Sequence, residues 1–157
     1  ALEYMYFVGG LYGLKRKIAA PRSTDLLIRF GLGHKVNHLI EGFSHGMKQR
    51  LVMASVLLHE PKLLVVDEPM VGLDPQGARL LKNMLRTQTQ QKGMSVLLST
   101  HTLDVADELC DRLAVINHGK LIAEGEPTEL KANMGGADAR LEAVFLQLIA
   151  EGEPKAP

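Results

Sequence analysis

The chain has 157 residues, 46% of them apolar and 23% charged, with 18 acidic and 18 basic side chains and one cysteine, Cys110. That length supports one ordinary hydrophobic core, or one core with a small satellite. The even charge balance argues against a dedicated nucleic-acid binder, a single cysteine excludes an intrachain disulfide, and no apolar run approaches the ~20 residues of a membrane-spanning helix.

Leu2, Met5, Tyr6, Gly9 and Tyr12 recur at helical spacing, which predicts an amphipathic helix over residues 2–14. Lys15, Arg16, Lys17 and Arg22 follow as a basic stretch, read most simply as a solvated helix end. Ser23 is placed to cap a second helix that carries Leu26, Leu27 and Phe30 and stops at Gly31 and Gly33. Beyond a loop over residues 37–42, Ser44 can cap a third helix with Met47, Leu51, Ala54 and Leu58 on one face, ended by Pro61.

The pattern then changes. Leu63, Leu64, Val65, Val66 and Asp67 form a run without polar alternation, as expected for a parallel strand covered on both faces. Asp74-Pro75 has the chemistry of an N-cap and first helical position. Leu81, Met84 and Leu85 mark the buried stripe of that helix, and Gly93 fits its end. Residues 95–99 read as a second buried strand and residues 102–110 as a short helix. Residues 113–116 and 121–123 flank a hairpin turn, Asn117-His118-Gly119-Lys120. Pro127 sets the start of another helix, Gly135-Gly136 breaks the chain, and Leu141, Val144, Phe145 and Leu148 mark a last amphipathic helix. The expected organisation is an α-helical part over residues 1–60, an α/β part over 61–150 and a flexible tail over 151–157.

Four constellations carry chemistry. The first is the strand ending in Asp67-Glu68. Open α/β sheets bind ligands at the carboxyl ends of their strands. A magnesium–nucleotide site needs such carboxylates, one to help hold the metal and one to orient or deprotonate water. The second is Phe43-Ser44-His45-Gly46-Met47-Lys48-Gln49-Arg50, a helix start with a hydroxyl and open amides suited to phosphate. The third is Gly72-Leu73-Asp74-Pro75, and the fourth is Ser99-Thr100-His101 at the end of the second strand. Each alone is equally a cap, a turn or a structural histidine.

In this order, the four resemble the nucleotide-binding domain of ABC transporters, the ATP-binding cassette family. Phe43 to Met47 is similar to the family's Leu-Ser-Gly-Gly-Gln signature. Residues 63–68 resemble its Walker B strand with the catalytic glutamate. Residues 72–75 resemble the D-loop, and His101 the switch histidine. The resemblance implies an α/β, P-loop NTPase-like partial core with a parallel sheet, preceded by an α-helical signature subdomain. It implies ATP and Mg2+ as cofactors. Asp67 would sit near magnesium through water, and Glu68 would act as general base or orient water. His101 would contact the γ-phosphate, Asp74 would couple two sites, and Ser44, His45 and Gly46 would face ATP held by a partner.

The implied partners are a second nucleotide-binding domain, in a homo- or heterodimer, and a membrane-spanning transporter subunit. The implied location is cytoplasmic, peripheral on the inner face of the membrane. No nucleic acid is expected. Two departures lie in the signature, where His45 stands for glycine and Met47 for glutamine. A third is that no Gly-x-x-x-x-Gly-Lys-[Ser/Thr] phosphate loop occurs, and the first glutamine is Gln49, too late for a Q-loop. The start at Ala1, inside a helical pattern and without a signal peptide, reads as a cut end. The expectation is therefore the C-terminal portion of a cassette, inactive alone and paired with its missing N-terminal half. The alternatives are a non-catalytic truncated cassette acting through protein contacts, and a soluble ABC ATPase outside transport.

Overall fold

A computed structural model describes residues 1–134 and 140–152. Of the expected tail over residues 151–157, Glu151 and Gly152 belong to the last helix instead, and residues 153–157, like the expected break at Gly135-Gly136, lie outside the described residues. The chain forms two compact units, Ala1–Ser99 and Thr100–Pro157.

The first unit begins with α1 (Leu2–Leu11), α2 (Arg16–Arg29) and α3 (His45–Leu57), with short 3-10 turns at Gly33–Lys35 and Ile40–Gly42. α1 and α2 pack on each other and on α3. A Cβ on Gly9 would lie 3.1 Å from Leu58 Cδ2 and 3.3 Å from the Ala19 Cβ. The small residue is what lets α1 approach the other two helices this closely. Met5, Leu26, Leu27, Phe30, Leu32, Leu51, Ala54 and Leu57 fill the interior.

One expectation fails here. Ser23 does not cap α2 but lies in its middle, fully buried. The helix starts seven residues earlier than that cap, after Lys15 in an extended conformation, and runs through Pro21. An interior proline removes one hydrogen bond and costs about 3 kcal/mol, which is why the sequence suggests a later start. Burial of Ala19, Leu26 and Leu27 on one face offsets that cost, since apolar burial contributes about 1.5–3 kcal/mol per large side chain.

The unit then turns to strands. β1 (Leu63–Asp67) pairs in parallel with β2 (Ser95–Ser99), and α4 (Pro75–Lys92) makes the crossover. α4 is capped at both ends as the sequence suggests. Asp74 Oδ1 accepts from the Gly77 amide at 2.6 Å, and Gly93 takes the left-handed position at the C-terminus. Leu81, Met84 and Leu85 are its buried stripe. Double coverage of the strands does not hold among the described residues. Leu64 is 5% exposed, whereas Leu63, Val65 and Leu97 are 60–64% exposed and share the opposite face. The run is apolar at every position, but only alternate positions are covered.

At the outer surface Glu60 pairs with Arg22 at 2.9 Å and with Lys92 at 2.6 Å, bridging the chain after α3 to α2 and α4. The Lys92 hydrogen bond, outweighing partial burial, holds the Glu60 carboxyl below its ordinary range.

The second unit holds α5 (Leu103–Leu109), the hairpin β3 (Leu113–Asn117) and β4 (Lys120–Gly125), α6 (Pro127–Met134) and α7 (Leu141–Gly152). His118 and Gly119 both have left-handed φ, as a two-residue turn matched to strand twist requires. α7 packs on α5, α6 and the hairpin, burying Leu141 and Val144 near Val105, Ala106 and Leu130 of the same unit. Lys131 pairs with Asp107 at 2.5 Å. No helix among the described residues is long and apolar enough to cross a membrane.

Candidate functional site

The acidic strand end is the focus of the first unit. Parallel pairing sets Asp67 beside Ser99, whose hydroxyl donates to Asp67 Oδ1. The Glu68 amide donates to the Ser99 carbonyl at 2.9 Å, and the Glu68 carbonyl accepts from the Val71 amide at 3.2 Å. Glu68 itself has φ of 45°. A left-handed non-glycine residue costs about 1–2 kcal/mol, and such positions concentrate at functional sites. The backbone reverses there, so Asp67 and Glu68 stand at the end of the sheet with their amide and hydroxyl neighbours fixed by β2.

The start of α3 is the second part. Ser44, in an extended conformation, accepts at Oγ from the Met47 amide at 3.3 Å. The amides of His45 and Gly46 have no acceptor in a preceding turn, by helix geometry. Both Ser44 and His45 are exposed.

Two contacts tie α3 to the loop between β1 and α4, and Arg50 ties it to the end of α2 and to α4. Gln49 Nε2 donates to the Pro69 carbonyl at 3.2 Å. A Cβ on Gly46 would lie 3.1 Å from the Gly72 carbonyl oxygen. Arg50 Nε donates to the Gly46 carbonyl at 3.4 Å and Nη1 to the Phe30 carbonyl at 3.1 Å, while the side chain lies along Gly77. A groove of about 470 Å³ runs between α3 and β1, lined by His45, Lys48, Gln49 and Val52 on one side and Val65 and Asp67 on the other.

The first unit thus contains Ser44, His45, Gly46, Asp67, Glu68 and Asp74. Asp74 spends one carboxylate oxygen on capping α4. His101 follows β2 by two residues and belongs to the second unit, where it is exposed. Gln49, Arg50 and Ser99 fall inside stretches that the sequence singles out, but the roles of these side chains as supports are not visible there. Their partners lie 20 or 32 residues away, so no local spacing marks them.

The oxygen donors of Asp67 and Ser99 suit a hard divalent cation such as magnesium, which takes one or two carboxylates and completes its shell with water and phosphate. No cluster of three or more His, Cys, Asp or Glu side chains placed to hold a metal occurs among the described residues.

Residues 14–71 match the family described as ABC transporter. The chain is 40% identical over 151 residues to the daunorubicin/doxorubicin resistance ATP-binding protein DrrA of Streptomyces peucetius, covering 96% of this chain and 46% of that protein. It is 38% identical over 136 residues to the linearmycin resistance ATP-binding protein LnrL of Bacillus subtilis (strain 168), covering 87% and 43%. A solved ATP-binding subunit of an ABC transporter superposes with a TM-score of 0.83 at 31% identity, over 94% of this chain and 61% of that one. The chain spans about half the length of these curated relatives.

Proposed function

The chain belongs to the family of ABC transporter ATP-binding proteins, and on that premise we propose that its residues serve an ATP-hydrolysing subunit that energises transport across a membrane. In that reading residues 1–60 are the signature subdomain and residues 61–150 the C-terminal half of the ATPase core. The subunit pairs with a second nucleotide-binding domain and with a membrane-spanning subunit, on the cytoplasmic face.

The observation that carries the proposal is the strand end at Asp67-Glu68, with its left-handed glutamate and its hydroxyl-held aspartate. Magnesium, when bound with ATP, would neutralise charge on the phosphates. Asp67, steadied by Ser99, would hold that ion through water. Glu68, set at the chain reversal, would take a proton from the attacking water or orient it. His101 would lie against the γ-phosphate. Ser44, Gly46 and the backbone of His45 would face the nucleotide of the partner domain, with the amides and helix dipole of α3 supplying positive potential. Asp74 would couple the two sites. Phosphoryl transfer asks for positioning and charge stabilisation above all, and these groups supply both.

The sequence holds no phosphate loop, so the chain alone is expected to show no steady-state ATP hydrolysis. Hydrolysis is expected once a phosphate-loop half is co-expressed with it. Glu68→Gln should then lower kcat by about 100-fold or more, the usual weight of a general base. Hydrolysis unaffected by Glu68→Gln would overturn the reading.

A further inference from the structure

We infer that His45 is a positioning residue, whose ring seats on Gly72 and sets the turn after β1 against the start of α3. This rests on the reading that both turns face nucleotide.

A Cβ on Gly72 would lie 2.6 Å from Nε2 of His45 and would also meet its Cδ2. A Cβ there would push the end of the His45 side chain aside, so the ring occupies the space that glycine leaves. Gly72 also has φ of +81°, which L side chains rarely adopt. The turn therefore requires glycine, and the ring takes up the room beside it. One residue on, Gly46 approaches the Gly72 carbonyl so closely that its own Cβ would press on it. The Gln49–Pro69 bond holds the other end of the same loop.

The consequence is mechanical. The loop begins at Glu68, whose carbonyl takes the Val71 amide, and ends at Asp74, which caps α4. His45 lies one residue after Ser44. A shift of the α3 start therefore moves the turn that carries Glu68 at one end and Asp74 at the other. In a protein with glycine at position 45 that seat would be empty.

Amide hydrogen exchange of the chain tests the seat directly. His45→Gly should speed exchange at residues 71–73 by about tenfold, the scale of a local opening. His45→Phe, which keeps a ring, should restore protection, and His45→Ala should not. Gly72→Ala should speed the same amides, and combining it with His45→Gly should cost less than the sum, because the new methyl takes the vacated space. Unchanged exchange in His45→Gly, or additive effects in the double variant, would overturn the inference.

In the cassette reconstituted with a phosphate-loop half, His45→Gly should lower kcat about tenfold with KM for ATP unchanged, as expected when only the transition state is affected. A raised KM with unchanged kcat would mean that His45 binds ATP itself and would sink the positioning role. Absence of hydrolysis in the unaltered cassette counts against the proposed function, while the exchange experiment still decides the seat.

Discussion

The helical part before Leu63 gathers its apolar stripes on one interior, whereas the more apolar two-stranded sheet after it leaves one face open. In α1–α3 one stripe of each helix converges on a shared interior that buries Met5, Leu27, Leu51 and Ala54, with α1 brought close by Gly9 and Ala19, while Phe7, Leu11, Ile28 and Val52 face outward. In β1 and β2 the apolar positions divide between two faces, and the face bearing Leu63, Val65 and Leu97 is exposed. A run such as Leu63 to Val66 announces that a surface is suited to cover. It says nothing about which element supplies the cover. A helix stripe carries its own partner's geometry in its spacing, whereas a continuous strand run does not.

Core truncation should separate the two parts most sharply. Leu51→Ala, in the closed helical interior, should destabilise the chain by about 2–5 kcal/mol in urea unfolding. Val65→Ala, on the open face, should stay within about 0.5 kcal/mol, like other surface changes. Equal effects at the two positions would erase the contrast.

A smaller effect is expected at the helix that covers the closed face of the sheet. Asp74→Ala removes the 2.6 Å cap of α4 and should cost about 1 kcal/mol by the same measurement. A loss near zero would mean that α4 is held by its buried stripe alone.

The smallest effect is a pH dependence confined to the helical part. The His59 ring stacks on Tyr12 with centroids 3.7 Å apart, and its Nδ1 is buried with no hydrogen-bond partner among the described residues. Burial lowers its pKa from the ordinary 6.5. The unfolded chain therefore takes up the proton first, so folding favours the neutral ring. This contribution is complete above pH 6.5 and is lost as pH falls through the lower folded value. His59→Phe keeps the stacked ring without the titration, and its melting temperature should fall less steeply below pH 6.5 than that of the parent chain. Parallel profiles would show that the acid response lies elsewhere.

Much of this architecture is legible in the sequence because caps and turns are local. Ser44, Asp74-Pro75, Gly93 and the turn at His118-Gly119 each report on a few neighbouring residues, and each stands where its chemistry suggests. The start of α2 is not legible, because Pro21 argues for a break and only tertiary burial overrides it. The acidic pair is legible as a strand end, but its supports are not. Ser99 reaches Asp67 across β2, and Gln49 reaches Pro69 across a groove. His45 shows in the sequence as a departure from glycine, and its place on Gly72 emerges only when two turns, 27 residues apart in sequence (72 minus 45), meet in space.

The crossover through α4 has a kinetic consequence. Each β1–β2 partner pair joins residues 32 apart, such as Leu63 with Ser95, while α1, α2 and the hairpin β3–β4 close over far shorter stretches. Chain closure over such a span costs entropy before any ladder bond repays it, and non-local strand pairs form slowly for that reason. α4 shortens the effective span by coiling 18 residues into a rod of about 27 Å. The acidic strand end is therefore expected to assemble after the helices and the hairpin, at a rate set by the closure of that span.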